Sequence, residues 1–262
     1  MPSRAATRNL VVDDIFKVTP LQHRQIFGTT NRRIHLYEPF LQLPGLNGDI
    51  GDGTWNGNFE LNAEAGGVSA TDGAFTVDGM STIKTPASTP AANDFAGGRP
   101  HLDALASLWA KVGLFGSEDE VTMKQCFRLP NIVACAFLFG LKEDVAIPAD
   151  MEVIGSDDNA AFFFFSDGNA TSTTNFVTIE NINTADTSTD TGIAVVANQV
   201  YELDIRINAS REATFRIDGV VVRAGVALKD AVDFIPFFAI MTDVAGVKTL
   251  DYGPLLMETN GF

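Results

Sequence analysis

VYELDIRINASREATFRIDGVVV, residues 200–222, is the stretch on which the fold turns. Leu203, Ile205 and Ile207 alternate with Glu202, Asp204 and Arg206. A period of two sends one set of side chains into a core and the other toward solvent or a cleft. NASR (208–211) then turns the chain, residues 213–217 run back, and Asp218-Gly219 supplies the pair that tolerates positive φ in a tight hairpin. With residues 220–223 following, the stretch predicts a three-stranded meander.

Working outward, Phe, Val, Ile and Thr dominate and turn residues recur about every ten positions, the rhythm of a sandwich or barrel rather than of βαβ units. The 262 residues are 45 % hydrophobic, enough to fill a real core. The expectation is therefore all-β: an antiparallel β-sandwich over residues 46–262, preceded by an extended N-terminal arm, residues 1–45. TPASTPAANDFAGGRP (85–100) reads as a loop, because its Pro, Ala and Gly deny it both strand pairing and helix continuity. A helix candidate follows Pro100, with Leu102, Leu105, Leu108 and Trp109 at helical spacing. The polar stretch 169–192 admits only a short exposed strand at FVTI. In AAFFFFS (160–166), Phe162, Phe163, Phe164 and Phe165 must place rings on both faces of any strand they form, so both faces need cover, from the chain's own packing or from another subunit.

The formal charge is −15. Phosphate attraction needs a basic face, so nucleic acid is an unsuitable partner for the body of the chain. The charge is uneven: residues 1–37 hold six Lys/Arg against two Asp, and residues 38–262 hold twelve Lys/Arg against 31 Asp/Glu. Arg4, Arg8, Lys17, Arg24, Arg32 and Arg33 describe either an arm laid on an acidic partner or a solvated, frayed terminus. No run of signal-peptide length opens the chain, and the longest apolar run, 132–141, is too short to cross a membrane as a helix. Cys126 and Cys135 flank FRLPNIVA; a hairpin at Pro130-Asn131 would set them opposite each other, but that pair suits primed turns poorly, and two buried free thiols are expected.

Three constellations bear on chemistry. ELDIR (202–206) resembles the E-x-D-x-E strand of laminarinase-type glycosidases, in which the outer glutamates serve as nucleophile and acid/base. Here the third position is Arg206, which carries no transferable proton, so half of the two-carboxyl machinery is missing. Arg206 is expected instead to pair with Glu202 or Asp204. NGDIGDGTWNGNFE (47–60) looks like a calcium loop, but with Gly53 at the invariant glycine only Asp52 falls on a carboxylate position. An irregular calcium site at Asp49 and Asp52 competes with a plain turn cluster. His23, His35 and His101 stand far apart, and no phosphate-binding or nucleophile-elbow motif is present. The expectation is a protein without catalytic residues, metal or cofactor.

FLFGLKED (137–144), residues 200–222, DFIPFFAI (233–240) and GVKTLDYGPLLME (246–258) occur in an order that resembles the concanavalin- or laminin-G-like (jelly-roll) sandwiches of tailed-bacteriophage virion proteins. That resemblance implies a virion structural protein assembled in the host cytoplasm, in the manner of a capsid decoration or cement protein. Its partner would be the major capsid protein or another virion protein, reached through Arg4, Arg8, Arg24, Arg32 and Arg33, with Phe162–Phe165 in an oligomer or packing contact and a homo-trimer as the expected assembly. No nucleic acid and no membrane enter this reading. A carbohydrate-binding tail or fibre module is the alternative, with Trp55, Trp109 or Tyr201 as sugar platforms.

Overall fold

A computed structural model describes residues 34–38, 53–54, 59–63, 74–85, 95–100, 115–116, 120–143, 160–182, 185–229 and 233–259. The period-two segments become two antiparallel sheets. The eight-stranded sheet runs β15 (Val220–Ala227), β14 (Glu212–Ile217), β13 (Val200–Ile207), β8 (Val121–Arg128), β17 (Thr249–Thr259), β5 (Ser81–Lys84) and β4 (Ala74–Phe75), with β1 (Ile34–Glu38) also on β17. The nine-stranded sheet runs β12 (Ala185–Ala194), β11 (Asn175–Ile182), β10 (Ala160–Ser166), β9 (Cys135–Glu143), β16 (Asp233–Thr242), β6 (Phe95–Pro100), β3 (Phe59–Ala63) and β2 (Gly53–Thr54), with β7 (Phe115–Gly116) also on β16. The expected antiparallel sandwich is what forms.

The meander of β13, β14 and β15 follows its sequence closely. Asp218 and Gly219 take φ of 51° and 78°, and Ile217 pairs with Val220 across them, as a two-residue primed turn requires. At the other end the Asn208 Oδ1 accepts hydrogen bonds from the Ser210 and Glu212 amides at 2.9 and 3.0 Å, which closes the NASR turn.

Rings from both sheets interlock in the core between them. Phe163 meets Phe215 edge-on at 5.3 Å, Phe127 meets Phe137 at 5.1 Å, and Phe238 meets Tyr252 at 5.0 Å. Each such pair adds about 0.5–1.5 kcal/mol beyond the area it buries. At the sandwich edge Arg223 of β15 donates to Thr178 Oγ1 at 3.1 Å and to Glu180 on β11, so an ion pair joins the sheets there.

The phenylalanine quartet divides as the pleat demands. Phe163 and Phe165 join the inter-sheet core, while Phe162 and Phe164 join a second cluster with Leu138, Val177, Ile179 and Phe237 on the opposite face of the nine-stranded sheet. All four are at most 1 % exposed in the single chain. Close strand approach makes this possible. A Cβ on Gly140 would lie 2.3 Å from Phe162 Cβ, and one on Gly97 would lie 2.7 Å from the Phe238 carbonyl oxygen.

Several expectations change. Residues 95–100 are strand β6, not the end of a loop: Gly97 lets that strand close against β16, where a side chain would hold it off. Residues 34–38 are not part of a free arm, because they pair with β17 from Ile34↔Thr259 to Glu38↔Leu255. The polar stretch 169–192 supplies two strands, β11 and β12, and Val177 and Ile179 of FVTI are buried rather than exposed. β12 tolerates its Thr and Asp residues because it is an edge strand with mostly exposed side chains. Cys126 and Cys135 do not face each other on a hairpin. β8 and β9 belong to different sheets, leaving Cys135 buried in the core and Cys126 half-buried on an outer face, both free. Pro236 sits within β16 where that strand passes from β7, paired at Asp233 and Phe234, to β6, paired from Phe238 onward. In that gap the missing N–H breaks no ladder bond on that side.

Candidate functional site

Alternation along β13 puts Tyr201, Leu203, Ile205 and Ile207 into the core and turns Glu202, Asp204 and Arg206 to the outer face of the eight-stranded sheet. The neighbouring strands obey the same rule. Asp204 stands opposite Lys124 of β8 on one side and Arg216 of β14 on the other.

Two charge clusters result. In the first, Lys124 pairs with Glu202 at 2.7 Å. Arg206 grips Asp204 with Nε 3.1 and 2.9 Å from the two carboxylate oxygens and Nη2 2.8 Å from Oδ2, while Arg216 Nη1 lies 3.6 Å from Oδ2. The hydrogen bond to Asp204 raises the Arg206 pKa above the ordinary guanidinium value. Of the two partners foreseen for Arg206, Asp204 is therefore the one it takes. In the second cluster Asp251 accepts from Thr82 Oγ1 at 2.6 Å and from Arg128 Nε at 2.8 Å. Arg128 Nη1 continues to Asp78 at 2.6 Å, whose carboxyl is held below the usual range by the Thr76 hydroxyl and then by Arg128.

Both ELDIR carboxylates are engaged by cations, Glu202 by Lys124 and Asp204 by Arg206 and Arg216. Cys126 lies on the same face, where burial, then Glu202, pushes its thiol pKa up and away from a reactive thiolate. Among the described residues no three His, Cys, Asp or Glu side chains gather to hold a metal.

The remaining sequence candidates fall as follows. Tyr201 is no sugar platform: it is buried, its hydroxyl donating to Ala194 O at 3.0 Å and accepting the Val196 amide at 2.9 Å. Arg4, Arg8, Arg24, Arg32 and Arg33, the pair Asp49 and Asp52, both tryptophans Trp55 and Trp109, and the 102–109 helix candidate lie outside the described residues. Sequence reading missed Lys124, Arg128, Arg216 and Asp251 as site residues. The signal for two of them was present in VTMKQCFR (121–128), whose strict alternation places Lys124 and Arg128 on one face.

No protein-family model matches the chain and no curated protein matches it significantly. Solved structures do. A β-glucanase of Bacillus licheniformis is 10 % identical, with a TM-score of 0.54 over 85 % of this chain and 97 % of that one. A family 7 alginate lyase is 12 % identical, with a TM-score of 0.51 over 82 % and 98 %, and the Emp47p carbohydrate recognition domain is 10 % identical, with a TM-score of 0.50 over 84 % and 98 %. The fold is thus a jelly-roll sandwich shared with glycan-cleaving and glycan-recognising proteins. That corrects the expectation of a chain that is no enzyme: a glucanase and a lyase carry this sandwich over nearly their whole lengths, so the fold is one that enzymes use as well as recognition domains.

Proposed function

We propose that the chain recognises carbohydrate on the outer face of its eight-stranded sheet. The observation that carries the reading is the band formed by Lys124, Glu202, Asp204, Arg206 and Arg216. It spans three adjacent strands, and its polar groups are held in place by one another before any ligand arrives. Hydrogen-bonding groups fixed in this way lose little freedom on binding a polyhydroxylated chain, which is the advantage of preorganisation. The likeness in fold to a carbohydrate recognition domain and to glycan-cleaving enzymes supports the same reading. A glycan-binding module of a virion tail or fibre is the setting that agrees with the resemblance of the chain from about Leu102 to Met257 to phage sandwiches.

The test is a glycan and polysaccharide array probed with the purified chain and with its Glu202→Gln and Arg206→Ala variants. Binding that the variants weaken supports the proposal, and a blank array sinks it. Reducing ends or unsaturated sugars appearing during the incubation would show that recognition is coupled to cleavage.

A further inference from the structure

We infer that the ligand of this face is an acidic polysaccharide, whose carboxylate or sulfate groups are received by Lys124, Arg206 and Arg216. The inference rests on the carbohydrate reading above and names the substrate class.

The first argument is what the face exposes. The side chains of Arg206 and Lys124 are 50 % and 37 % exposed and that of Arg216 is 24 % exposed, whereas Asp204 beneath them is 4 % exposed. Asp204 therefore anchors the guanidinium groups without presenting itself. Glu202 is 34 % exposed, Glu258 on β17, opposite Thr122, is half-buried, and Asp218 accepts from the Glu202 amide at 2.8 Å; with them the cluster sets three cations against four carboxylates. The chain as a whole has 18 Lys/Arg against 33 Asp/Glu, so the excess of acid is smaller at this cluster than over the chain at large.

The second argument is donor capacity. A guanidinium has five N–H donors in a planar fork, and Asp204 uses only Nε and Nη2 of Arg206. Arg216 Nη1, by contrast, is buried 3.6 Å from Asp204 Oδ2 and is not among the donors open to a ligand. Forks of this kind match carboxylate and sulfate oxygens, and a fork already pinned by an anchor is ready to take them.

The third argument is what the face lacks. Neutral sugars are commonly gripped by stacking on exposed aromatic rings, but every Phe and Tyr side chain whose burial is described lies in a core, and the rings nearest this site, Tyr201 and Phe215, point inward. Among the described residues, charged groups are therefore what the outer face offers a ligand.

The experiment measures binding of the full chain to a polyuronate and to the same polymer after its carboxyl groups have been reduced to alcohols. The polyuronate is expected to bind at least about tenfold more tightly, with affinity falling as salt rises. Lys124→Ala and Arg206→Ala should each weaken polyuronate binding about tenfold. Because Arg206→Ala strips Asp204 of its main partner, the double variant Asp204→Asn/Arg206→Gln removes the cation together with its counter-charge; circular dichroism verifies that it folds. Equal binding of the reduced and unreduced polymers, or unchanged polyuronate binding by folded variants, overturns the inference and leaves carbohydrate recognition standing. Failure to bind any polymer, neutral or acidic, overturns both.

Discussion

Gly140→Ala tests how the nine-stranded sheet is built. The added Cβ would lie 2.3 Å from Phe162 Cβ, 2.4 Å from Phe162 Cα and 2.4 Å from the Ala161 carbonyl oxygen. Carbon atoms rest about 3.5–4.0 Å apart, so the shortfall exceeds about 1 Å, and none of the three atoms belongs to a flexible side-chain end. Relief requires β10 to move away from β9, stretching the ladder that pairs Ala160 through Ser166 with Lys142 through Ala136. Overpacking costs about 1–3 kcal/mol, and each buried backbone bond lost adds about 1–3 kcal/mol, so a loss of about 3–5 kcal/mol is expected. For a chain of this size that lowers Tm by about 6–20 °C. Gly219→Ala is the control: it meets nothing within 4 Å, and its only difficulty is a φ of 78°, which costs an L-residue about 1–2 kcal/mol. Thermal and urea unfolding followed by circular dichroism decide the matter. A Gly140→Ala protein melting within about 2 °C of the parent, or above Gly219→Ala, would refute the close-approach argument.

Three further outcomes are expected. Burial pushes the Cys135 thiol up from 9.0 to about 12, so between those values the unfolded chain has lost a proton that the folded one keeps, and stability falls by about 1.4 kcal/mol per pH unit. Alkaline unfolding of Cys135→Ala, compared with the parent, should lack that slope, and a thiol reagent at neutral pH should label Cys126 well before Cys135. Arg223→Ala leaves the buried Glu180 carboxyl, already raised by desolvation, without its counter-charge, a loss of about 3 kcal/mol. Glu180 gives up its proton as pH rises through its folded pKa, so the deficit should be full at pH 8 and small at pH 4 by urea titration. Tyr201→Phe removes one donated and one accepted backbone hydrogen bond, and its urea midpoint should fall by the equivalent of about 1–2 kcal/mol at unchanged m-value.

What local pattern controls was legible in the sequence. The meander at 200–222 and its Asp218-Gly219 turn follow from alternation and from φ preference, both properties of neighbouring residues. The phenylalanine quartet likewise announced that both faces of its strand would be covered. Partnerships between distant segments were not legible: nothing near Asp204 says that Lys124, some 80 positions earlier, will stand opposite it, or that Arg128 will reach Asp251 across adjacent strands. Composition misled at 95–100, because the glycines that weaken a strand in isolation are required where two backbones press together. It misled again at 185–194, where an edge strand draws its order from pairing rather than from a buried face.

The pairing of β1 with β17 sets Ile34 directly across from Thr259. Two positions 225 residues apart in the chain are thus neighbours across one ladder rung, a gap of about 5 Å that a linker of a few residues bridges. Joining them and reopening the polypeptide at the NASR turn would give a circular permutant with the same two sheets, in which ELDIR becomes the final strand and its charged face is carried at a terminus.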